Sequence, residues 1–128
     1  MTNEEINKII AEFRGWVEYH PTAESISKGY PSYSYWTPPR DSKQFAENWG
    51  KLEMDYPPDY CNNLNAMAEA KNLLTGDKRR EFIEYLYEIV KQDKNINAGP
   101  YSVMIEAFYA TAKQQAIAFV KTIGKWKD

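Results

Sequence analysis

Apolar residues recur along this chain mostly at three- and four-residue intervals, the period of helices with one buried face. Ile6, Ile9, Ile10 and Phe13 form the stripe of a short amphipathic helix. Thr2 and Glu5 precede that stripe as a capping box, in which each side chain takes up an unpaired backbone N–H of the other residue. Glu4 and Glu5 lie at the positive end of the helix dipole and Arg14 near its negative end, and Gly15 stops the helix. Behind a cap at Asp77, Phe82, Tyr85, Leu86, Ile89 and Val90 repeat the spacing with the greatest regularity in the chain. Thr111 and Gln114 make a second capping box, followed by Ala112, Ala116, Phe119, Val120 and Ile123 on one face and by Gly124 as a terminator.

Residues 59–74 supply the helix around which the other layers are expected to pack. Asn62 or Asn63 is its N-cap. Leu64, Met67, Ala68 and Lys71 follow the helical spacing with Leu74 one turn on, and Lys71 lends its aliphatic stem. Ala66, Ala68 and Ala70 allow close approach, and Gly76 is the expected left-handed stop. Asp41 and Ser42 can cap a further short helix through Phe45, Trp49 and Leu52, which Gly50 weakens by roughly 1 kcal/mol relative to Ala. Residues 95–100 read as a turn-rich loop and residues 20–29 as a polar connection.

Strands are expected at residues 16–19, 30–36 and 101–109. The last run is apolar except at Ser102 and Glu106, and Gly99-Pro100 and the Thr111 cap bound it at strand length. Pro31, Pro38 and Pro39 cannot donate to a ladder, which restricts the second strand to an edge. These strands do not alternate regularly with helices, so a doubly wound parallel sheet is excluded. The expected fold is α+β, a small α-β-α sandwich with about four helices packed on a short β-sheet in a single domain over residues 1–128.

The net charge of −2 and pI of about 5.5 give no reason to expect non-specific binding to nucleic acid or to a membrane surface. The apolar runs are too short to span a bilayer and no signal peptide is visible, so a cytosolic protein is expected. Cys61 is the single cysteine and His20 the single histidine, which excludes an internal disulfide and leaves little for a transition metal. No cofactor and no metal are implied. The aromatic share of 15%, with ten tyrosines, exceeds what a small core usually needs.

Those aromatics supply the first candidate site. Tyr30, Tyr33, Tyr35, Trp36 and Arg40 lie in a proline-rich stretch, where rings beside an arginine could stack a flat ligand or anchor a protein partner. The alternative is that the rings pack on the sheet while the prolines shape a loop. A second candidate is the anion site that Lys78, Arg79 and Arg80 could form in the first turn of a helix. Three cations there oppose the dipole, and the competing reading is a solvated turn neutralised by Asp77 and Glu81, with Arg80 paired to Glu84. Cys61 directly before a helix could have a lowered pKa and use His20 as its base, or simply be a small packing residue. Asp55, Asp59 and Glu69 define no acid/base pair. No glycine-rich phosphate loop, zinc spacing or nucleophile elbow is present, so no catalysis is expected.

Three stretches carry a family resemblance: the capped first helix ending in Gly15-Trp16, residues 60–70 (YCNNLNAMAEA) and residues 110–126 (ATAKQQAIAFVKTIGKW). Together they resemble the phage ABA sandwich domain family, small proteins of bacteriophage and prophage genomes. The resemblance implies helical layers on both sides of a small sheet and a phage or prophage protein in the host cytoplasm. It carries over no catalytic residue. The expectation is therefore an accessory binding protein in counter-defence, inhibiting a host defence protein by covering its surface or sequestering a small signalling nucleotide. The other reading is a self-associating accessory protein whose aromatic surface is a homo-oligomer interface.

Overall fold

Both capping boxes form in the computed structural model, which describes residues 1–43, 45, 56–94 and 100–128. Thr2 N–H donates to Glu5 Oε2 at 2.7 Å and Glu5 N–H to Thr2 Oγ1 at 3.2 Å, opening α1 (Asn3–Arg14). Gly15 ends α1 at φ +111°, a left-handed conformation that side chains with a Cβ rarely adopt. The N–H groups of Gly15 and Trp16 both turn back to the Ala11 carbonyl.

Contacts divide the chain into two compact units, one of Met1–Ile10 with Pro58–Asp128 and the other of Ala11–Pro57. Beyond α1, the larger unit holds α3 (Leu64–Lys71), α4 (Asp77–Lys94), α5 (Pro100–Phe108) and α6 (Ala112–Thr122). Helix α6 is its centre. Ala112, Gln115, Ala116, Ala118, Phe119, Val120 and Thr122 are all buried, which at about 100° per residue covers more than half the helix circumference. It packs on α3 and, more extensively, on α4, whose buried face is Phe82, Leu86, Ile89 and Val90. Tyr85, expected on that face, is exposed instead. Ile6, Ile10 and Met67 complete the core as fully buried side chains.

Helix α3 is therefore one packing layer, and the element that others surround is α6. Asn63 is the N-cap of α3, its side chain accepting from Ala66 N–H at 3.0 Å. The buried face is Ala66, Met67 and Ala70 with Leu74 beyond, whereas Leu64 and Ala68 are exposed. The expected stripe was out of phase because it followed the largest apolar residue, while the contact surface is built on alanines. Gly76 has the expected positive φ (+55°), yet α3 ends at Lys71 and this glycine opens α4. The segment before α3 is tied to α1 by side chains. Asp59 accepts from Asn7 Nδ2 at 2.9 Å and from Asn62 Nδ2 at 2.8 Å, while Asn7 Oδ1 accepts from Cys61 N–H at 3.0 Å.

In the smaller unit, β1 (Val17–Tyr19) and β2 (Tyr35–Thr37) pair antiparallel in the register Val17↔Thr37, Glu18↔Trp36, Tyr19↔Tyr35. Both are shorter than the expected runs. The connection between them, read as polar and irregular, contains α2 (Ala23–Ser27), opened by a capping box between Thr22 and Ser25. Ser42 Oγ accepts from Phe45 N–H at 3.1 Å, as a helix cap would. Trp49, Gly50 and Leu52 of that expected helix, Asp55, and residues 95–99 of the expected loop lie outside the described residues.

The α-β-α sandwich is not formed. The described residues hold six helices and one two-stranded sheet of three residues per strand, so no sheet layer is available for helices to cover on two faces. The fold is mostly helical. Much of the error came from residues 101–109, which form helix α5 instead of a strand. Pro100 stands at its first position, where a missing N–H costs nothing. An unbroken apolar run fits either structure by periodicity alone, and here its inward residues, Val103 and Ala107, recur at helical spacing.

Thr111→Ala is expected to lower unfolding stability by about 1 kcal/mol, read from the urea midpoint, with Thr111→Ser close to the parent because it keeps the cap. The bonds from Asn62, then Asn7, hold the Asp59 carboxyl below the ordinary aspartate range. A depressed carboxyl stabilises above its unfolded pKa and loses that contribution as pH falls through its folded value. Stability should therefore decline on acidification below about pH 4, and less steeply in Asp59→Asn, measured by thermal melts across pH.

Candidate functional site

The hairpin brings together three of the five residues in the first candidate set and separates the other two. Tyr35 is the cross-strand partner of Tyr19, and their rings lie on the same face with centroids 4.7 Å apart. Tyr30 extends this cluster at 6.3 Å from Tyr19, and Tyr33 extends it at 6.2 Å from Tyr35 in an edge-on arrangement. The result is a row in the order Tyr30, Tyr19, Tyr35, Tyr33, with the outer two rings about half exposed. Trp36 stands opposite Glu18, and the pleat turns it to the other face of the hairpin. Arg40 is exposed beyond the end of β2 and makes no cation–π contact with the row.

Tyr19 is the residue that the sequence did not single out. Its hydroxyl donates to the Pro31 carbonyl at 3.0 Å and shares a 2.7 Å hydrogen bond with Ser25 Oγ, itself part of the α2 capping box. The ring row is thus fastened to β1, α2 and the chain entering β2 through one hydroxyl. The period-two spacing of Tyr33 and Tyr35 was visible in the sequence, whereas the pairing of Tyr19 with Tyr35 needs the strand register.

Around the same hairpin, His20 Nε2 lies 3.5 Å from Glu18 Oε2 and His20 Nδ1 lies 3.4 Å from Ser34 Oγ. The order serine–histidine–glutamate is that of an acyl-transfer relay, but both separations exceed the ~2.6–3.2 Å that proton transfer needs. The His20 side chain is 62% exposed, so water competes for both contacts. Cys61 offers no nucleophile. It is buried, its Sγ lies 3.8 Å from the Asn3 carbonyl, and burial raises its pKa, with Asp59 adding to the rise and Lys113 opposing it. That direction is opposite to the lowering that a helix start would give.

Of the basic triplet, Lys78 is engaged with the protein's own groups. Lys78 Nζ donates to the Thr122 carbonyl at 3.2 Å and pairs with Glu81 Oε2 at 3.1 Å, so it caps the carboxyl end of α6. Arg79 and Arg80 are exposed. An open concavity of about 530 Å³ along α4 is lined by Glu81, Glu84, Glu88, Tyr85 and Tyr87, and its three carboxylates disfavour an anionic ligand. Among the described residues, no group of three or more His, Cys, Asp or Glu side chains could hold a metal ion. No helix among them is long and apolar enough to cross a membrane.

Compared with known proteins, the chain matches no family model, no curated protein and no solved structure.

Tyr19→Phe keeps the ring but removes both hydroxyl contacts. It should cost the hairpin about 1 kcal/mol, seen as faster amide exchange across residues 17–37, while amides of α6 exchange at the parent rate.

Proposed function

We propose that this chain is a non-catalytic binding protein whose working surface is the tyrosine row of the hairpin. The observation that carries this reading is the contact of four tyrosine rings in sequence on one hairpin face, with Tyr30 and Tyr33 half exposed at its ends. Tyrosine suits protein contacts because it presents large, stiff, amphipathic area with a hydroxyl at its edge, and it is enriched in interface hot spots. The rings already touch one another at tilted angles, so no slot remains between them for a base. With Arg40 away from the row, no stacked cation supports a phosphate. This favours a protein surface over a signalling nucleotide as the target.

The setting of that binding is part of the same proposal: an accessory protein of a bacteriophage or prophage, in the host cytoplasm, inhibiting a host immune component by covering its surface. Support comes from the resemblance at residues 60–70 and 110–126, and from the lack of an assembled nucleophile among the described residues.

The test is expression in bacterial strains that each carry one defence system, followed by phage plating and by native mass spectrometry of the recovered protein. Expected is restored plating in at least one strain together with a protein partner at fixed stoichiometry. The double substitution Tyr30→Ala/Tyr33→Ala should weaken that partner at least about tenfold with an unchanged melting midpoint. A bound mass of a few hundred daltons, or a partner indifferent to both substitutions, sinks the hairpin as the binding surface.

A further inference from the structure

Helix α5 is built inside out. Its small residues face the protein, with Val103 buried and Ala107 half-buried, while its largest apolar side chains face away. Tyr101 is 78% exposed, Met104 36%, Ile105 54%, Phe108 82% and Tyr109 81%. Tyr101, Met104, Ile105 and Phe108 fall at i, i+3, i+4 and i+7, one continuous stripe along the outer side of α5, and Tyr109 adjoins it in the turn that follows. Single exposed apolar residues are ordinary, but an aligned set of five at this exposure is a patch that calls for a cover.

We propose that the cover is a second copy of this chain, placed by a two-fold axis that lays α5 antiparallel against its counterpart. Three observations select this occupant. The first is area: with large side chains taken at about 200 Å² each, these exposures give roughly 650 Å² per copy, close to the ~800 Å² that each partner of a standard interface buries. The second is charge. The only ionisable carboxylate in α5 is Glu106, half-buried and about 130° round the helix from the centre of the stripe, so self-pairing sets no like charges opposite one another. None of the five stripe residues is charged, so the stripe itself offers nothing to select a partner by charge. The third is self-complementarity. Ile105 is at the middle of the stripe with aromatic rings toward both ends, so an antiparallel copy sets Ile105 against its own equivalent and the Tyr101 end against the Phe108–Tyr109 end. Such an isologous contact closes after two copies.

The surface is independent of the tyrosine hairpin, which belongs to the other unit, so the two proposals fail separately. Sedimentation equilibrium of the full chain at about 100 μM, well above a micromolar Kd, should give twice the 14.9 kDa chain mass. Phe108→Glu should raise the dimer dissociation constant at least about tenfold while leaving the far-UV circular dichroism unchanged, because the side chain lies outside the core. In Ile105→Cys, mild oxidation should trap a disulfide-linked dimer. The parent should give none under the same conditions, since Cys61 is buried. A parent chain that stays monomeric overturns the proposal, as does a dimer unaffected by Phe108→Glu and not trapped through position 105.

Discussion

The structure of the larger unit depends on burying a short helix over more than half its circumference without leaving its polar groups unpaired. Burial on that scale takes water away from the Gln115 and Thr122 side chains, so their partners must come from the protein, while the capping box at the exposed amino end sets where the helix starts. At the amino end, Thr111 N–H donates to Gln114 Oε1 at 2.9 Å and Gln114 N–H to Thr111 Oγ1 at 3.1 Å. Within the helix, Thr122 Oγ1 returns its hydrogen to the Ala118 carbonyl, and Gln115 Nε2 reaches the Ala110 carbonyl. At the carboxyl end Lys78 serves the Thr122 carbonyl. Several of these groups also join helices, since Gln114 Nε2 bonds Asp93 of α4 and Lys78 belongs to α4. Capping and helix packing therefore share contacts, and among the side-chain atoms of the described residues in this unit only Gln115 Oε1 is buried without a partner.

What was legible in the sequence is what local chemistry decides. Thr2 with Glu5 and Thr111 with Gln114 are each three residues apart, and Gly15 closes its helix through its own backbone, so these boundaries could be read directly. Phase was legible for most of α1, α4 and α6, whose expected stripes are largely the buried faces, but not for α3 and α5. In α3 the alanines were read as sites of close approach and Met67 and Leu74 as part of the stripe, but hydrophobicity placed Leu64 with them, and it is exposed. In α5 the apolar residues point outward, so the rule that apolar side chains mark the inside fails and the run reads equally as a strand. Lys78 is 44 positions from the carbonyl it caps, and no local pattern could join them. The same holds for the candidate site. Tyr30, Tyr33 and Tyr35 were visible as a concentration of rings, but the register that adds Tyr19 and turns Trp36 away is a property of two strands whose partners stand sixteen to twenty positions apart.

The two exposed aromatic surfaces differ in physical character. The hairpin row keeps its central hydroxyl engaged and offers half-exposed tyrosines at its ends, a surface that can exchange hydrogen bonds with water when alone and with a partner when covered. The α5 stripe mixes tyrosine with phenylalanine, isoleucine and methionine and gains most from losing water altogether. A polar-tipped surface suits an encounter that forms and dissolves, while an apolar stripe suits a lasting one.

The flanks of β2 have a further consequence. A two-stranded sheet has no interior strand, so each strand carries an outward row of backbone donors and acceptors, the feature through which chains commonly add to one another. Here Pro31 stands just upstream of the three-residue β2, and the buried Pro38-Pro39 pair follows it at once. Proline contributes no N–H, so a strand adding to the β2 edge meets a position without a donor on either side of residues 32–37. Along the β2 edge, strand addition is thereby confined to a short stretch, whether by a target peptide or by a misfolded copy. A partner on that edge therefore gains more from the side chains than from the ladder.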